Sequence, residues 1–367
     1  MTEEIPVRIK RIPLLHVLTV RRSLASKEET ARALVEVLPQ VTDILAGPPI
    51  ALQLGFPRDG KIDFELAFPV DEPMEREGFA SKTLPELPFL SFVHEGTLSG
   101  GAEGTSFADT WKRFVQFVIE RQVLTGDDPP RYVYHDSLNS VDADEPRFVL
   151  EVQYPYHLPI WIDAFREGVN SYVDEETAQR ILAGSEGLVE SLDGQKAINW
   201  IHGAIDRLDE AISDERSRSS ILNGCAHHYI VQSGEILRAA WEDSGHDLRK
   251  LVTAITDEEF LGSNYRIDES GDEPLLIIER RPARQEAYDQ ATDPAEKRYH
   301  ACFCPLVRDA IREGKRVSRT FCHCSGGWYV QEWETVFGEK PEVRLLETML
   351  EGADSCVFAV KIPPKFL

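Results

Sequence analysis

A phrase that occurs twice places the strongest limit on how this chain folds. Residues 147–157 read RFVLEVQYPYH and residues 64–70 read FELAFPV. In both, a Glu is followed by an apolar residue, one variable position, an aromatic residue and Pro. Such a repeat marks the ends of two similar halves. We therefore expect an internally duplicated domain.

The second copy of this phrase predicts a strand with one unusual residue. Strict alternation places Glu151 on one side with Val149 and Gln153, and Pro155 ends the ladder. The opposite side is apolar: Phe148, Leu150, Val152 and Tyr154. Glu151 is thus an acid in an otherwise apolar strand, and it either has a binding role or lies on the solvent face.

Each half of the repeat predicts the order β-α-β-β. The first half has a strand at 7–20, a helix that begins with the capping box Ser26/Glu29 and bends at Pro39, and strands at 50–56 and 62–68 joined by a turn at 57–60. The second half has strands at 89–95, 131–136 and 147–154, and a helix at 107–121. Because the first strand opens on the N-terminus, we expect no DNA-binding helix-turn-helix ahead of it.

This arrangement resembles the gyrase-inhibitor-like domains, which are similar to the effector-binding domains of AraC-type and MerR-type regulators. The resemblance covers residues 1–158 and depends on a Gly after the strand at 89–95 (Gly96), an aromatic helix at Trp111, a Tyr strand at 132–134 and the Glu151 phrase. It implies a cleft between the halves that takes bulky, often cationic aromatic molecules. Some members of that family hydrolyse reactive small molecules instead.

The resemblance also implies which residues bind the ligand. Glu151 matches the buried carboxylate of the family, and Trp111, Tyr132 and Tyr134 would form the aromatic walls. A carboxylate in an apolar cleft is tolerated when a cation or a donor meets it, and aromatic faces add about 0.5 to 2 kcal/mol of cation-π attraction. The alternative is that these aromatic residues belong to the hydrophobic core.

Composition excludes several classes of partner. The chain of 367 residues carries 63 acids against 40 bases, a formal net charge of -23, which opposes binding to phosphate backbones and anionic membranes. There is no apolar run long enough for a membrane span, and the first residues have no signal-peptide pattern. We expect a cytoplasmic protein that binds neither nucleic acid nor membranes.

The prolines of residues 154–159 predict a domain boundary near Leu158, with a second domain at 159–367. Helical patterns follow at 175–212, 215–241 and 247–260. A short strand is predicted at 275–279, a helix at 328–337 and a strand at 342–349. The expected fold class is α+β for both domains.

All six cysteines lie in this second domain. Two Cys-x-Cys pairs, Cys302/Cys304 and Cys322/Cys324, together with Cys225 supply enough soft ligands for zinc or an iron-sulfur cluster. The pairs are interpreted as strand residues that point the same way. Buried thiols and a catalytic thiolate with His323 as its base are the alternatives.

The end of the chain resembles the 4-vinyl-reductase-type sensor domains and the L-2-amino-thiazoline-4-carboxylic acid hydrolase-like proteins. A helix-strand unit precedes Gly352-Ala-Asp-Ser-Cys356-Val-Phe, and the resemblance is clearest over residues 300–363. Zinc-holding members carry Glu-x-x-Cys on the preceding strand, where this chain has Leu345 and Thr348. Their zinc site therefore does not transfer, and only Cys356 matches.

The function predicted from the sequence is that of a stand-alone binder or sensor of hydrophobic or cationic small molecules. The alternative is a hydrolase that uses either the first-domain cleft or the second-domain cysteines. No Ser-His-Asp order, phosphate loop or His-x3-His signature is present to name a reaction, which favours the binder.

Overall fold

A computed structural model describes residues 5–55, 60–98, 106–123, 130–135, 138, 147–226, 231–256 and 262–367. The chain divides into two compact units, and each has its own sheet. Unit 1 comprises residues 1–160 and 192–194, and unit 2 comprises 161–191 and 195–367. The predicted α+β class with two domains is confirmed. Within the described ranges, no helix is both long enough and apolar enough to cross a bilayer.

Each half of unit 1 begins with one strand more than the repeat alone. The first half consists of β1 (Arg8–Ile12), β2 (Leu15–Leu24), α1 (Lys27–Val37), β3 (Ile50–Gln53) and β4 (Ile62–Val70), and the second half begins with β5 (Ala80–Leu84). Pro13 lies between β1 and β2, where the sequence predicted one continuous strand. The Ser26 cap is confirmed, since its side chain accepts from the Glu29 amide. At Pro39 the chain passes from α1 into a 3-10 turn, Leu38–Gln40.

The second half repeats this order with β6 (Leu87–Gly96), α2 (Phe107–Arg121), β7 (Arg131–Tyr134) and β8 (Phe148–Pro155). The predicted duplication of β-α-β-β is therefore confirmed, as β2-α1-β3-β4 and β6-α2-β7-β8. Most of the predicted turn at 57–60 and of the loop at 97–104 lies outside the described residues. The strand β5 was not predicted.

The eight strands form one sheet in the order β1-β6-β8-β7-β3-β4-β2-β5. The order is symmetric about the centre of the sheet. The first-half strands β3, β4 and β2 occupy the positions that β7, β8 and β6 of the second half occupy on the other side, and β5 and β1 form the two edges. The leading strand of each half pairs with the other half: β1 with β6, and β5 with β2. Each half therefore completes the sheet of its partner half.

The two faces of this sheet bury different side chains. Because side chains alternate along a strand, Phe92, Val152 and Tyr132, which are cross-strand neighbours, share the face that carries α2. Ser91, Glu151 and other residues of odd number on β6 and β8 point to the opposite face. A small apolar cluster occupies the middle of that opposite face: Val17, Ile50, Ala67 and Val133.

Unit 2 combines a smaller sheet with many helices. The sheet has the order β11-β12-β10-β9, made of Val343–Glu347, Val357–Lys361, Leu275–Arg280 and Ser263–Asp268, with all neighbours antiparallel. The helices, numbered α3 to α12, are His157–Tyr172, Glu175–Leu182, Gly194–Ala211, Glu215–Asn223, Val231–Asp243, Leu248–Thr256, Gln285–Gln290, Pro294–Ala301, Arg308–Glu313 and His323–Phe337. The division between the units falls inside α3.

Several predictions for unit 2 need correction. The helical stretch at 175–212 is two helices, because Gly184 and Gly187 between them take positive φ angles of 82° and 71°. Strand β9 was not predicted. Helix α12 begins at His323, five residues before the predicted start, so Cys324 lies in its first turn. Residues 227–230, in the middle of the predicted helical region 215–241, and residues 257–260, at the end of the region 247–260, lie outside the described residues.

Candidate functional site

The carboxylate of Glu151 is the centre of a polar cluster on the face of the sheet opposite α2. Its side chain is only 8% exposed. Oε1 accepts hydrogen bonds from Lys10 Nζ at 2.8 Å, from Ser91 Oγ at 2.6 Å and from Gln153 Nε2 at 3.3 Å. The three donors come from β1, β6 and β8. The strand pairing of the two halves thus assembles this site.

The second oxygen of Glu151 faces His135, whose Nε2 lies 3.3 Å from Oε2. Burial of the carboxyl raises its pKa, but the hydrogen bonds from Lys10, Ser91 and Gln153 and the positive charge of Lys10 outweigh this effect. The net result lowers the pKa of Glu151 to about 2. The group is therefore ionised at any physiological pH.

Exposed apolar side chains flank this buried charge. Val93, the cross-strand neighbour of Glu151 on β6, is 44% exposed, and Val149 on β8 is 36% exposed. On the other side of Glu151, Phe89 is buried and the guanidinium of Arg131 lies 4.5 Å from its ring centroid. An ionised carboxylate thus borders an apolar surface that solvent can reach.

The predicted aromatic walls do not belong to this site, which is a correction. Tyr132 and Tyr134 point to the α2 face, and both are core residues with exposures of 2% and 1%. Trp111 on α2 packs against Tyr154 with 5.9 Å between ring centroids. Because Glu151 is directed to the opposite face, the sheet itself separates it from Trp111, Tyr132 and Tyr134.

The first half of unit 1 contains the same device around Glu65. Its carboxylate, 6% exposed, accepts from Lys82 Nζ at 2.6 Å and from Thr19 Oγ1 at 3.2 Å. Lys82 on the edge strand β5 is the counterpart of Lys10 on the edge strand β1, and Thr19 is the counterpart of Ser91. The duplicated fold therefore carries two carboxylate-lysine-hydroxyl clusters on one face.

Sequence reasoning missed the donors around Glu151. A signal was available, since Lys10 precedes Thr19 by the same spacing as Lys82 precedes Ser91. Aligning the halves from their leading strands would have paired the two lysines and the two hydroxyl residues. The comparison of the strand ends alone found only the acids.

The cysteines of unit 2 lie near one another but do not face a common point. Cys322 Sγ lies 3.0 Å from the Thr348 hydroxyl, and Cys356 Sγ lies 4.0 Å from the same oxygen. Cys302 and Cys304 follow the end of α10, and Cys225 follows α6, where its thiol donates to the Ile221 carbonyl. The pairs are not on strands as predicted, because Cys322 ends a 3-10 turn and Cys324 is helical.

These thiols do not fit a metal ion in their present arrangement. Among the residues that the structure describes, no three His, Cys, Asp or Glu side chains are grouped closely enough to hold one. Burial raises the pKa of Cys302 to about 12 and of Cys324 to about 11, so both are protonated thiols at neutral pH. Raised pKa values also disfavour a catalytic thiolate.

The zinc or iron-sulfur hypothesis for Cys225, Cys302, Cys304, Cys322 and Cys324 stays a prediction. Elemental analysis of purified protein decides it. About one zinc or iron centre per chain, lost in Cys302→Ser or Cys324→Ser together with several kcal/mol of stability, supports a metal centre. Metal-free protein whose melting temperature is unchanged by chelator supports buried thiols.

Unit 2 also buries a carboxyl group that the sequence did not single out. Glu332 on α12 is 1% exposed and accepts a hydrogen bond from the Tyr265 hydroxyl at 2.8 Å. Burial raises the pKa of Glu332 to about 7, against the opposing effects of this hydrogen bond and of the Arg280 charge. This group is a part of the core between α12 and the smaller sheet.

Comparisons with known proteins give structural likeness only. No family model matches the sequence, and no curated protein sequence matches it. Solved structures similar to part of the chain include EcmrR in a complex with DNA, with a TM-score of 0.35 and 16% identity over 41% of this chain and 57% of that chain. SAV2435 bound to tetraphenylphosphonium has a TM-score of 0.30 and 12% identity over 41% of this chain and 93% of that one.

A third similar structure is a hydrolase from Listeria innocua, with a TM-score of 0.28 and 8% identity over 42% of this chain and 93% of that chain. This chain therefore spans little more than half of the EcmrR chain in the DNA complex and nearly all of the other two. The resemblance predicted for the second domain stays a prediction.

Proposed function

We propose that unit 1 binds hydrophobic cations on the face of its sheet that carries Glu151. The observation that supports this proposal is an ionised carboxylate, 8% exposed, next to Val93 and Val149, two apolar side chains that solvent reaches. A ligand with an apolar body would cover the valines, and its positive charge would meet the carboxylate. Both contacts favour the same class of molecule.

The electrostatic part of this proposal follows from partial burial. A carboxylate that keeps its charge in a poorly solvated place interacts more strongly with a cation than a carboxylate in water does. Its low pKa, about 2, means that no proton competes with the ligand above about pH 4. The apolar part adds about 25 cal/mol for each Å² of surface that the ligand covers.

The same geometry favours binding over hydrolysis. In a Ser-His-acid triad the imidazole lies between the hydroxyl and the acid, so it can take the proton. Here Glu151 lies between Ser91 and His135, and both contact its oxygens. A carboxylate with a pKa of about 2 is also a weak general base. A sensor or binder that stores no covalent intermediate agrees with these contacts.

The test is calorimetric titration with tetraphenylphosphonium, a lipophilic aryl cation, and with triphenylphosphine oxide, a neutral aryl compound. Glu151→Gln keeps the shape and the hydrogen-bonding capacity of the side chain but removes its charge. A charge-assisted contact suggests a loss of about 1.5 to 3 kcal/mol, or roughly ten- to a hundredfold in affinity for the cation. The neutral compound should bind both proteins alike.

Glu65→Gln is the matched control, because Glu65 has the equivalent place in the other half and is similarly buried, at 6% exposed against 8% for Glu151. It should leave the affinity for the cation unchanged. Equal affinity of the wild type and Glu151→Gln for the cation would overturn the proposal. An equal loss for both compounds would show damage to the fold, which a thermal melt of each variant checks independently.

A further inference from the structure

The two partners of the Lys10-Glu151 ion pair differ greatly in their access to water. The Glu151 side chain is 8% exposed, whereas the Lys10 side chain is 42% exposed. Glu151 lies on an inner strand of the sheet, but Lys10 reaches it from β1, a five-residue strand at the sheet edge. The acid is therefore fixed in place, and the ammonium group is the partner that can move into solvent.

We infer that Lys10 is an affinity-determining residue, an internal cation that any ligand cation must displace from Glu151. This inference rests on the proposed function of the Glu151 site. It makes binding an exchange of one positive charge for another, so the net charge at the carboxylate is the same before and after. The affinity of a ligand then reports how much better it pairs with Glu151 than Lys10 does.

The hydration of the entering cation decides which ligands the site prefers. A primary ammonium group is a compact and strongly hydrated charge, so Lys10 regains favourable contacts with water when it leaves the carboxylate. A ligand with another primary ammonium group loses the same hydration on entering and gains nothing from the exchange. A bulky quaternary or aryl cation is weakly hydrated, so it loses less. The site should therefore prefer aryl and quaternary cations to primary amines of similar size.

Other titratable or charged side chains lie on the face of the sheet that carries Glu151. Arg8 is on β1 with Lys10, Glu95 is on β6, and Arg131 and His135 come from β7 and the residue after it, all on the side of the sheet that carries Glu151. Of these, His135 contacts the carboxylate, at 3.3 Å. Lys10 donates a hydrogen bond to Glu151 at 2.8 Å, and its side chain is 42% exposed, so it is the group that a ligand cation would displace.

The test is Lys10→Met, which keeps most of the length of the side chain and removes the competing charge. Tetraphenylphosphonium should bind this variant roughly two- to fivefold more tightly than the wild type, the range expected for losing one partly exposed ion pair. Benzylamine, a primary amine, should gain a similar factor, because both ligands displace the same ammonium group, so the preference for the aryl cation should not change. Triphenylphosphine oxide should bind without change.

Three comparisons separate this inference from a merely structural role. Lys82→Met, the same change in the other half, should leave tetraphenylphosphonium affinity unchanged, and Lys10→Arg should keep it at or below the wild-type value. In Lys10→Met the pKa of Glu151 rises, because a hydrogen bond and a positive charge that lowered it are gone. Cation affinity of this variant should therefore fall on acidification at a higher pH than that of the wild type.

The outcomes are distinct for the two proposals. If Glu151→Gln weakens cation binding but Lys10→Met leaves it unchanged or weaker, the proposed function holds and the exchange is wrong. If neither variant alters cation binding, the Glu151 site itself is wrong. An equal gain in Lys10→Met and Lys82→Met would show a general effect of net charge and would also overturn the exchange.

Discussion

The two halves of unit 1 hold the same three-residue device in different surroundings. Each has a buried Glu, a half-exposed Lys from the exchanged edge strand, and a hydroxyl donor from the neighbouring strand. Around Glu65 the neighbours are charged or aliphatic: Arg21, Asp63, Leu54 and Ala67. At the equivalent places around Glu151 stand Val93, Val149, His135 and Gln153.

Under the proposed function, the Glu151 cluster binds the ligand and the Glu65 cluster only joins the two halves. Arg21, the cross-strand neighbour of Glu65, and Asp63, two residues before it, are both exposed and polar, so these two positions offer no apolar side chain to a ligand. Val93 and Val149 at the other end present apolar surface beside the same kind of carboxylate. The surroundings of the carboxylate, more than the carboxylate itself, separate the two roles.

The largest expected effect on cation affinity comes from replacing an apolar neighbour of Glu151 with the charged residue found at the equivalent position beside Glu65. Val93→Arg places a guanidinium at the position that Arg21 occupies beside Glu65. It should weaken tetraphenylphosphonium binding about ten- to a hundredfold, because it adds a second internal cation and removes apolar contact surface. Calorimetric titration measures the change.

Val93→Thr is the control for lost apolar surface, since it adds no charge. It should weaken binding much less than Val93→Arg does. Equal effects of the two substitutions would mean that Val93 contributes to binding through hydrophobic contact alone. The charge of Arg21 would then not explain the difference between the two halves.

A smaller effect is expected on stability in acid. The pKa of Glu151 is lowered from 4.5 to about 2 by its donors, so its ion pair stabilises the folded state fully above about pH 4.5 and progressively less as the pH falls to 2. After allowance for solvent screening, the contribution is about 1 to 2 kcal/mol. Glu151→Gln should lack this part of the acid sensitivity.

Urea unfolding of the wild type and of Glu151→Gln at several pH values between 5 and 2 measures this difference. The two stability curves should converge as the pH falls. Parallel curves would mean that Glu151 has the same pKa in the folded and unfolded chains. Glu65→Gln, measured in parallel, shows whether the first cluster contributes in the same range.

The strands and helices of unit 1 could be predicted well from the sequence, because each of them has a clear local signal. Alternation in residues 148–154, the Ser26 cap and the helical spacing around Phe114 each act within one element. The sequence failed where long-range pairing decides: Lys10 meets Glu151 only because β1 crosses to β6. The face of the aromatic residues was wrong for a related reason, since the position of α2 decides which side of the sheet is core.

In unit 2 the local sequence signals for secondary structure were weaker, and the predictions were less accurate. Cys322-His-Cys324 alternates like a strand, but His323 starts a helix whose residues Gly326 and Gly327 pack directly against Asn223 on α6. A Cβ on Gly327 would lie 2.0 Å from the Asn223 carbonyl oxygen, so the close approach of the two helices requires glycine there. Tertiary contact overrode the short alternating pattern.

The exchange of edge strands makes each half of unit 1 dependent on the other for its counter-ion. Glu65 takes its lysine from β5, which leads the second half, and Glu151 takes its lysine from β1, which leads the first. A gene fragment that encodes only one half would therefore leave its own acid unmatched, and two such fragments could be completed only by each other. Unit 1 thus has the connectivity of a strand-swapped homodimer whose two subunits are joined in one chain.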